Sequence, residues 1–257
     1  MQHLMQIIKR RWATCNGAFL FYTCLPLPPS LPVAFEAVAS VAPLMGLWIG
    51  GLSAGADSLL QMLGLSPHLR SGLTVCLWLW LTGGLHLDGA MDTADGLAVP
   101  NRERRLEVMA DSRTGAFGAM AAIAIVLLKV LALSAVTHHR WFALCSAAAW
   151  GRWGQQWAIG RYPYLKAQGK GAFHKQAIPS GWHTLPWAVG LALAAAVAVF
   201  IGLPSGHGWV TVAVGVVSSL SVSGWLARRL GGHTGDTYGA VGEWVETAVL
   251  VGFAACA

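Results

Sequence analysis

Seven stretches of this chain are apolar for long enough to cross a lipid bilayer, and only short polar loops separate them. They lie at about 32–52, 71–88, 115–136, 141–160, 184–203, 208–227 and 238–257. Each approaches the roughly 20 residues that a helix needs to span the hydrocarbon core. Barrel strands would alternate polar and apolar at every second residue, and these runs do not. Charged residues make up 11% of the 257, against about 25% in a soluble domain. Mean hydropathy is +0.55. The expected fold is all-α: a polytopic membrane helix bundle of about seven transmembrane helices, one domain over 1–257. Segment 12–29, "WATCNGAFLFYTCLPLPP", is shorter and ends in prolines, so an interfacial or re-entrant N-terminal helix is expected there. The "KRR" at 9–11 is not followed by a small-x-small site, so no cleaved signal peptide is expected.

The net charge of +6 has no tract of basic and aromatic residues in the manner of a nucleic-acid groove, so no nucleic acid is expected as partner. It reads instead as the cytoplasmic bias of membrane loops. "KRR" puts the N-terminus in the cytoplasm, and seven spans then place 89–114, 161–183 and 228–237 on that side, where most of the arginines and lysines fall. The other loops, 53–70, 137–140 and 204–207, carry only Arg70 and Arg140. The acidic clusters follow the basic ones to the cytoplasmic face, with Glu36 and Asp57 as exceptions. The five cysteines include no C-x-x-C pair and read as small core residues in a reducing compartment.

The chemistry concentrates in "GGLHLDGAMDTADGLA", residues 83–98. Asp88, Asp92 and Asp95 stand at i, i+4 and i+7, one stripe of a helix. Three carboxylates in register repel one another unless water or a cation lies between them. Hard divalent ions such as Mg2+ take oxygen ligands and bridge to substrate phosphates. A solvated helix end is the plainer alternative. His86 precedes the stripe and is kept as a phosphate donor or general acid. In "NRERRLEVMADSRTGAFG", 101–118, a short amphipathic helix would present Arg104, Arg105 and Arg113 to phosphate oxygens, although the same arginines also serve as topology signals. Asp111 is the candidate general base or extra metal ligand. "LGGHTGDTYGAVGEWVE", 230–246, reads as a glycine-rich turn entering a helix, with Thr234, Asp236 and Glu243 as candidate substrate contacts. The basic loop 160–176, with Lys166, would cover an anionic substrate or simply mark the inner side.

Taken together, "GGLHLDGAMDTADGLA", "RRLEVMADSRTGAFG", "GGHTGDTYGAVGEWVE" and the early "FYTCLPLP" resemble the cobalamin (cobamide) synthase family, the adenosylcobinamide-GDP ribazoletransferases, over essentially the whole chain. The resemblance implies a Mg2+-dependent enzyme of the bacterial inner membrane. It would join adenosylcobinamide-GDP to alpha-ribazole, or its 5′-phosphate, and release GMP. Motif by motif, it carries function onto Asp88, Asp92, Asp95, Asp111, Arg113, Asp236 and Glu243. Two positions depart from the family's usual pattern: Cys24 and Lys166 each stand where an arginine is usual. Lipid is the expected surroundings, and a homo-oligomer is compatible with the sequence. Two rivals are weighed against this. Another aspartate-dependent membrane transferase fits less well, because Val99 and Pro100 break the CDP-alcohol signature. An ion transporter would hold its acids near the bilayer midplane.

Overall fold

Prolines and glycines, more than hydropathy, decide where the helices begin and end. The computed structural model describes residues 2–166 and 172–256. Its helices, in chain order, are α1 (Gln2–Tyr22), α2 (Ala42–Met62), α3 (Pro67–Leu81), α4 (Leu85–Ala98), α5 (Arg105–Val108), α6 (Ala116–Ala135), α7 (Arg140–Arg161), α8 (Ala172–Ala177), α9 (Leu185–Phe200), α10 (Ser205–Leu230) and α11 (Gly235–Ala254). The only bridge of strand type among the described residues is an isolated one, Tyr164 to His233. The all-α expectation holds. Among the described residues four helical stretches are long and apolar enough to cross a membrane, by length and composition: Val38–Met62, Ala116–Ala135, Gly181–Phe200 and Ser205–Leu230. The similarly long α7 and α11 each carry three charged residues along their length.

Three sequence boundaries need correction. The span expected at 32–52 begins later: α2 starts at Ala42, with Pro43 in its first turn, where a missing N–H costs nothing. The segment before it, with Pro28, Pro29 and Pro32, cannot supply the donors of a helix. The span expected at 71–88 is two helices. Gly83 and Gly84 adopt φ of 61° and 69°, a left-handed turn that ends α3 and starts α4 afresh. The aspartates therefore ride on a helix of their own. The N-terminal segment expected at 12–29 belongs to α1, which runs from Gln2 to Tyr22 before "CLPLPP" stops it.

The loop expected at 53–70 shrinks to a turn, and its charges go inside. Asp57 is buried and takes Arg140 through two bonds, Nη2 to Oδ1 at 2.6 Å and Nε to Oδ2 at 2.9 Å. Arg70 Nε lies 3.3 Å from the same carboxylate. Both arginines, read from sequence as outside loop charges, are buried ion-pair partners. Arg140 also donates to the carbonyls of Leu133 and Val136, closing the end of α6. At the other end of α6, Asp95 accepts the backbone N–H groups of Gly115 and Gly118 at 2.7 and 2.8 Å. Twenty residues separate these two fastenings, about 30 Å of helix and about the thickness of a hydrocarbon core. The Asp57 cluster and the aspartate helix thus sit at opposite ends of the bundle. Between them α7 packs against α2, α10 and α11, with Ala143, Ala147, Ala148 and Ala149 letting its neighbours close in.

Candidate active site

The site is built where α4 crosses the start of α11. A Cβ placed on Gly89 would lie 2.6 Å from the Asp236 carbonyl oxygen and 2.9 Å from its Cα, so the two backbones touch. Thr234 caps α11: its hydroxyl accepts the Thr237 N–H, and the Thr237 hydroxyl accepts the Thr234 N–H in return. This fixes Asp236 in the first turn, opposite Asp88 and Asp92. Asp92 feels the crowding. Burial, then the charges of Asp88, Asp236 and Asp95, push its carboxyl up to about 6, against a partial offset from Lys166. Gly89→Ala must part the two helices, because the obstructing atoms are backbone. The expected result is a protein that still inserts but loses most turnover, measured as product formation per folded molecule.

Lys166 reaches this rim because the chain before it is pinned to the turn before α11. His233 N–H donates to the Pro163 carbonyl and Leu165 N–H to the His233 carbonyl, both at 2.9 Å. Tyr238 stacks on Tyr164 and His233 with centroids 6.1 and 5.4 Å away. Lys166 Nζ then lies 3.3 Å from Asp236 Oδ2. The rest of the basic loop, residues 167–171 including Lys170, lies outside the described residues. His233 itself is buried, held by the Thr237 hydroxyl and the Ser223 carbonyl. Desolvation lowers its pKa to about 4. The unfolded chain, with histidine near 6.5, binds the proton more readily. Stability is therefore expected to fall as pH drops from about 6.5 towards 4, a loss smaller in His233→Gln. Denaturation midpoints across that window check it.

The sequence-derived residues do not all converge. Asp88, Asp92 and Asp236 share the rim. Asp95 turns towards α6, where each of its oxygens already accepts a backbone N–H. Among the described residues no group of three or more His, Cys, Asp and Glu side chains is arranged to hold a metal ion. Asp111 pairs with Arg113 at 2.6 Å, and hydrogen bonds from that guanidinium and from the Arg113 backbone N–H pull its pKa down to about 2. The candidate general base is thus an ion-pair partner of Arg113 in this structure. Arg113 and Arg104 are exposed. Arg105 is turned inward: its Nε donates to the Val99 carbonyl and its Nη1 to that of Arg229, tying the start of α5 to the end of α10. The helix expected within 101–118 is one turn, α5.

Glu243 lies seven residues past Asp236, about 10 Å down α11. It joins a buried quartet. Lys129 Nζ lies 2.7 Å from Glu243 and 2.6 Å from Glu246, and Arg152 Nη1 lies 3.4 Å from Glu246. Lys129 also sits over the Trp78 ring at 4.8 Å. His86 is buried and stacks parallel to Tyr22, centroids 6.0 Å apart. Between this layer and the rim is a cavity of about 150 Å³, whose lining includes Tyr22, His86, Asp88, Gln155, Asp236 and Tyr238. Tyr22, Gln155, Tyr238, Lys129 and Arg152 were not singled out from the sequence. Three of them stood out in principle: Lys129, Arg152 and Gln155 are polar residues inside apolar spans, which are costly and therefore functional by default.

The family model for CobS, cobalamin-5-phosphate synthase, matches residues 14–254. Among curated proteins, adenosylcobinamide-GDP ribazoletransferase of Trichormus variabilis is 52% identical over 91% of this chain and 93% of its own length. The protein of the same name from Synechococcus elongatus is 50% identical over 96% and 98%, and that from Synechocystis sp. 45% over 95% and 97%. No solved structure matches. With a carboxylate rim over a buried polar layer, and with relatives of this identity along nearly its whole length, the chain belongs to the CobS family of cobalamin-5-phosphate synthases.

Proposed function

We propose that this protein is a Mg2+-dependent adenosylcobinamide-GDP ribazoletransferase of the bacterial inner membrane, with its N-terminus and aspartate rim in the cytoplasm. The observation that carries the reading is the crossing of α4 and α11, which brings Asp88, Asp92 and Asp236 within electrostatic reach of one another beside Lys166. The donor set suits Mg2+. This ion is held by one or two carboxylates plus substrate phosphates and keeps several waters, so it needs no all-protein cage. The mutual repulsion that raises Asp92 is what a cation relieves. Asp92 and Asp236 would hold Mg2+, which supplies charge neutralisation on the diphosphate.

The chain's own groups do the remainder. Lys166 pairs with phosphate oxygens as a point charge, and exposed Arg104 and Arg113 draw in the anion. A ribose hydroxyl of ribazole other than the 5′ position, which ribazole 5′-phosphate has esterified, attacks the phosphorus that carries cobinamide. A new P–O bond forms, the bond to the bridging oxygen breaks, and GMP leaves with that oxygen. The hydroxyl proton passes to Asp88, the cavity-lining carboxylate left free when Asp236 holds the cation. The buried helices hold these parts in place. The basic loops and the N-terminal "KRR" support the cytoplasmic placement.

The test is to incubate purified protein with adenosylcobinamide-GDP, alpha-ribazole and Mg2+ and to follow GMP. GMP formed only with both substrates and the metal is the expected outcome. Ion flux in liposomes without turnover would instead favour a transporter.

A further inference from the structure

A second and larger cavity, of about 450 Å³, lies behind the aspartate helix, between α4, α6, α10 and α11. Its charge is of one sign. Arg105 and Arg229 line it, and none of its described lining residues is acidic. Arg105 is 9% exposed, and its Nε and Nη1 are spent on the Val99 and Arg229 carbonyls. Its Nη2 has no hydrogen-bond partner among the described residues, and no described carboxylate pairs with it. A buried cation of this kind calls for an anion. Away from the arginines the walls are apolar: Ala94 and Leu97 of α4, Val222 and Leu226 of α10, Trp244 of α11. The Thr93 hydroxyl is already bonded, to the Gly89 carbonyl. Arg229 is in the last turn of α10 and Val222 seven residues earlier, about 10 Å of helix. Phe117 and Ala121 are in the first two turns of α6. Both helices are long and apolar enough to cross a membrane. The cavity therefore starts at a membrane surface and runs inward beside the hydrocarbon. Its lining includes Phe117 and Trp225, 56% and 45% exposed, so it opens sideways to lipid.

We propose that this cavity binds one anionic phospholipid of the leaflet that the aspartate rim faces, with the phosphate between Arg105 and Arg229 and one acyl chain along the apolar walls. Charge selects the head: two arginines and no acid favour an anion, and a zwitterionic lipid would bring a cation of its own against them. Polarity selects the tail. A nucleotide or any other polyfunctional ligand would bury more donors and acceptors than these walls can pair, whereas an amphiphile with one charged end matches them. About 450 Å³ lies within the roughly 300–1,000 Å³ of small-molecule sites. It takes the glycerol region and the upper part of one chain, and the remainder lies in the bilayer. Trp225 and Trp244 stand at the depth where tryptophan anchors proteins to the interface. The Arg229 guanidinium lies over the Trp225 ring at 5.7 Å, which holds it at the mouth. The position bears on the active site. Ala90, Ala94 and Leu97 each come two residues after Asp88, Asp92 and Asp95, about 200° round the helix. The lipid therefore backs the face of α4 opposite the carboxylates.

The test uses the full-length protein, delipidated in a neutral detergent. It needs no turnover, so it stands apart from the ribazoletransferase reading. Phosphatidylglycerol is titrated in and followed by the rise in melting temperature and by native mass spectrometry. The expected result is saturation at one lipid per chain in the wild type. Arg229→Gln should raise the half-saturating concentration about tenfold or more, the size of one lost charge-assisted hydrogen bond. Arg228→Gln removes the same charge from the neighbouring exposed residue, which does not line the cavity, and should change it far less. Ala121→Phe fills the apolar part with both arginines in place and should weaken binding as Arg229→Gln does, which also keeps the test open should that variant fail to fold. Phosphatidylcholine, whose headgroup is compensated, and inorganic phosphate, which has no chain, should each stabilise much less. Equal losses in Arg228→Gln and Arg229→Gln would reduce the effect to general surface charge and overturn the site. Equal stabilisation by phosphatidylcholine or by inorganic phosphate would overturn it too, and so would unchanged binding in Ala121→Phe.

Discussion

Asp92→Asn is expected to reduce GMP release by about 100-fold or more while the protein inserts normally and melts no lower than the wild type. A preorganised group acting on developing phosphate charge contributes about this much when removed. The two halves of the expectation have one cause. In the metal-free protein Asp92 is a half-buried carboxyl crowded by Asp88, Asp236 and Asp95. Asparagine keeps the shape and removes the repulsion, so stability holds or rises. With substrate present, the same change removes a charge that the cation needs. A loss of activity at undiminished stability is the mark of a site that stores repulsion for function. Turnover close to wild type with saturating Mg2+ would remove Asp92 from the cation site.

The second large effect concerns the quartet beneath the rim. Lys129→Met is expected to destabilise the protein by about 3–5 kcal/mol, the usual consequence of removing one partner of a buried ion pair. Lys129 is 1% exposed and contacts both Glu243 and Glu246. Without it two buried carboxylates share only Arg152. Adding Glu243→Gln restores the balance to one of each sign, so the double variant should regain much of the loss. Unfolding midpoints in detergent for the two singles and the double form the required cycle. Equal destabilisation of the double and of Lys129→Met alone would show that shape, and not charge balance, governs this layer.

The sequence made parts of this site legible for definite reasons. The i, i+4, i+7 spacing correctly placed Asp88, Asp92 and Asp95 on a helix, because register is a local property. It did not reveal that Asp95 is spent on the α6 N-terminus and that Asp236 completes the rim, because both depend on which helices meet. Gly83 and Gly84 were visible as glycines, yet only their positive φ shows that the apolar run is cut before the aspartates. Arg70 and Arg140 looked like loop charges because hydropathy windows count a buried arginine as they count an exposed one. Their carboxylate partner, Asp57, lies 13 and 83 residues away in sequence, and no pattern along the chain links them. Lys129 was the signal overlooked, a lone charge in "VLLKVLAL" that only a partner elsewhere makes tolerable.

The quartet has one more consequence, for the membrane voltage. A single elementary charge inside the bilayer exchanges about 2.3 kcal/mol with each 100 mV across it. Lys129, Arg152, Glu243 and Glu246 sum to zero, and they sit together. The field therefore does almost no net work in displacing the four together, and the layer beneath the aspartate rim carries no net charge across the membrane.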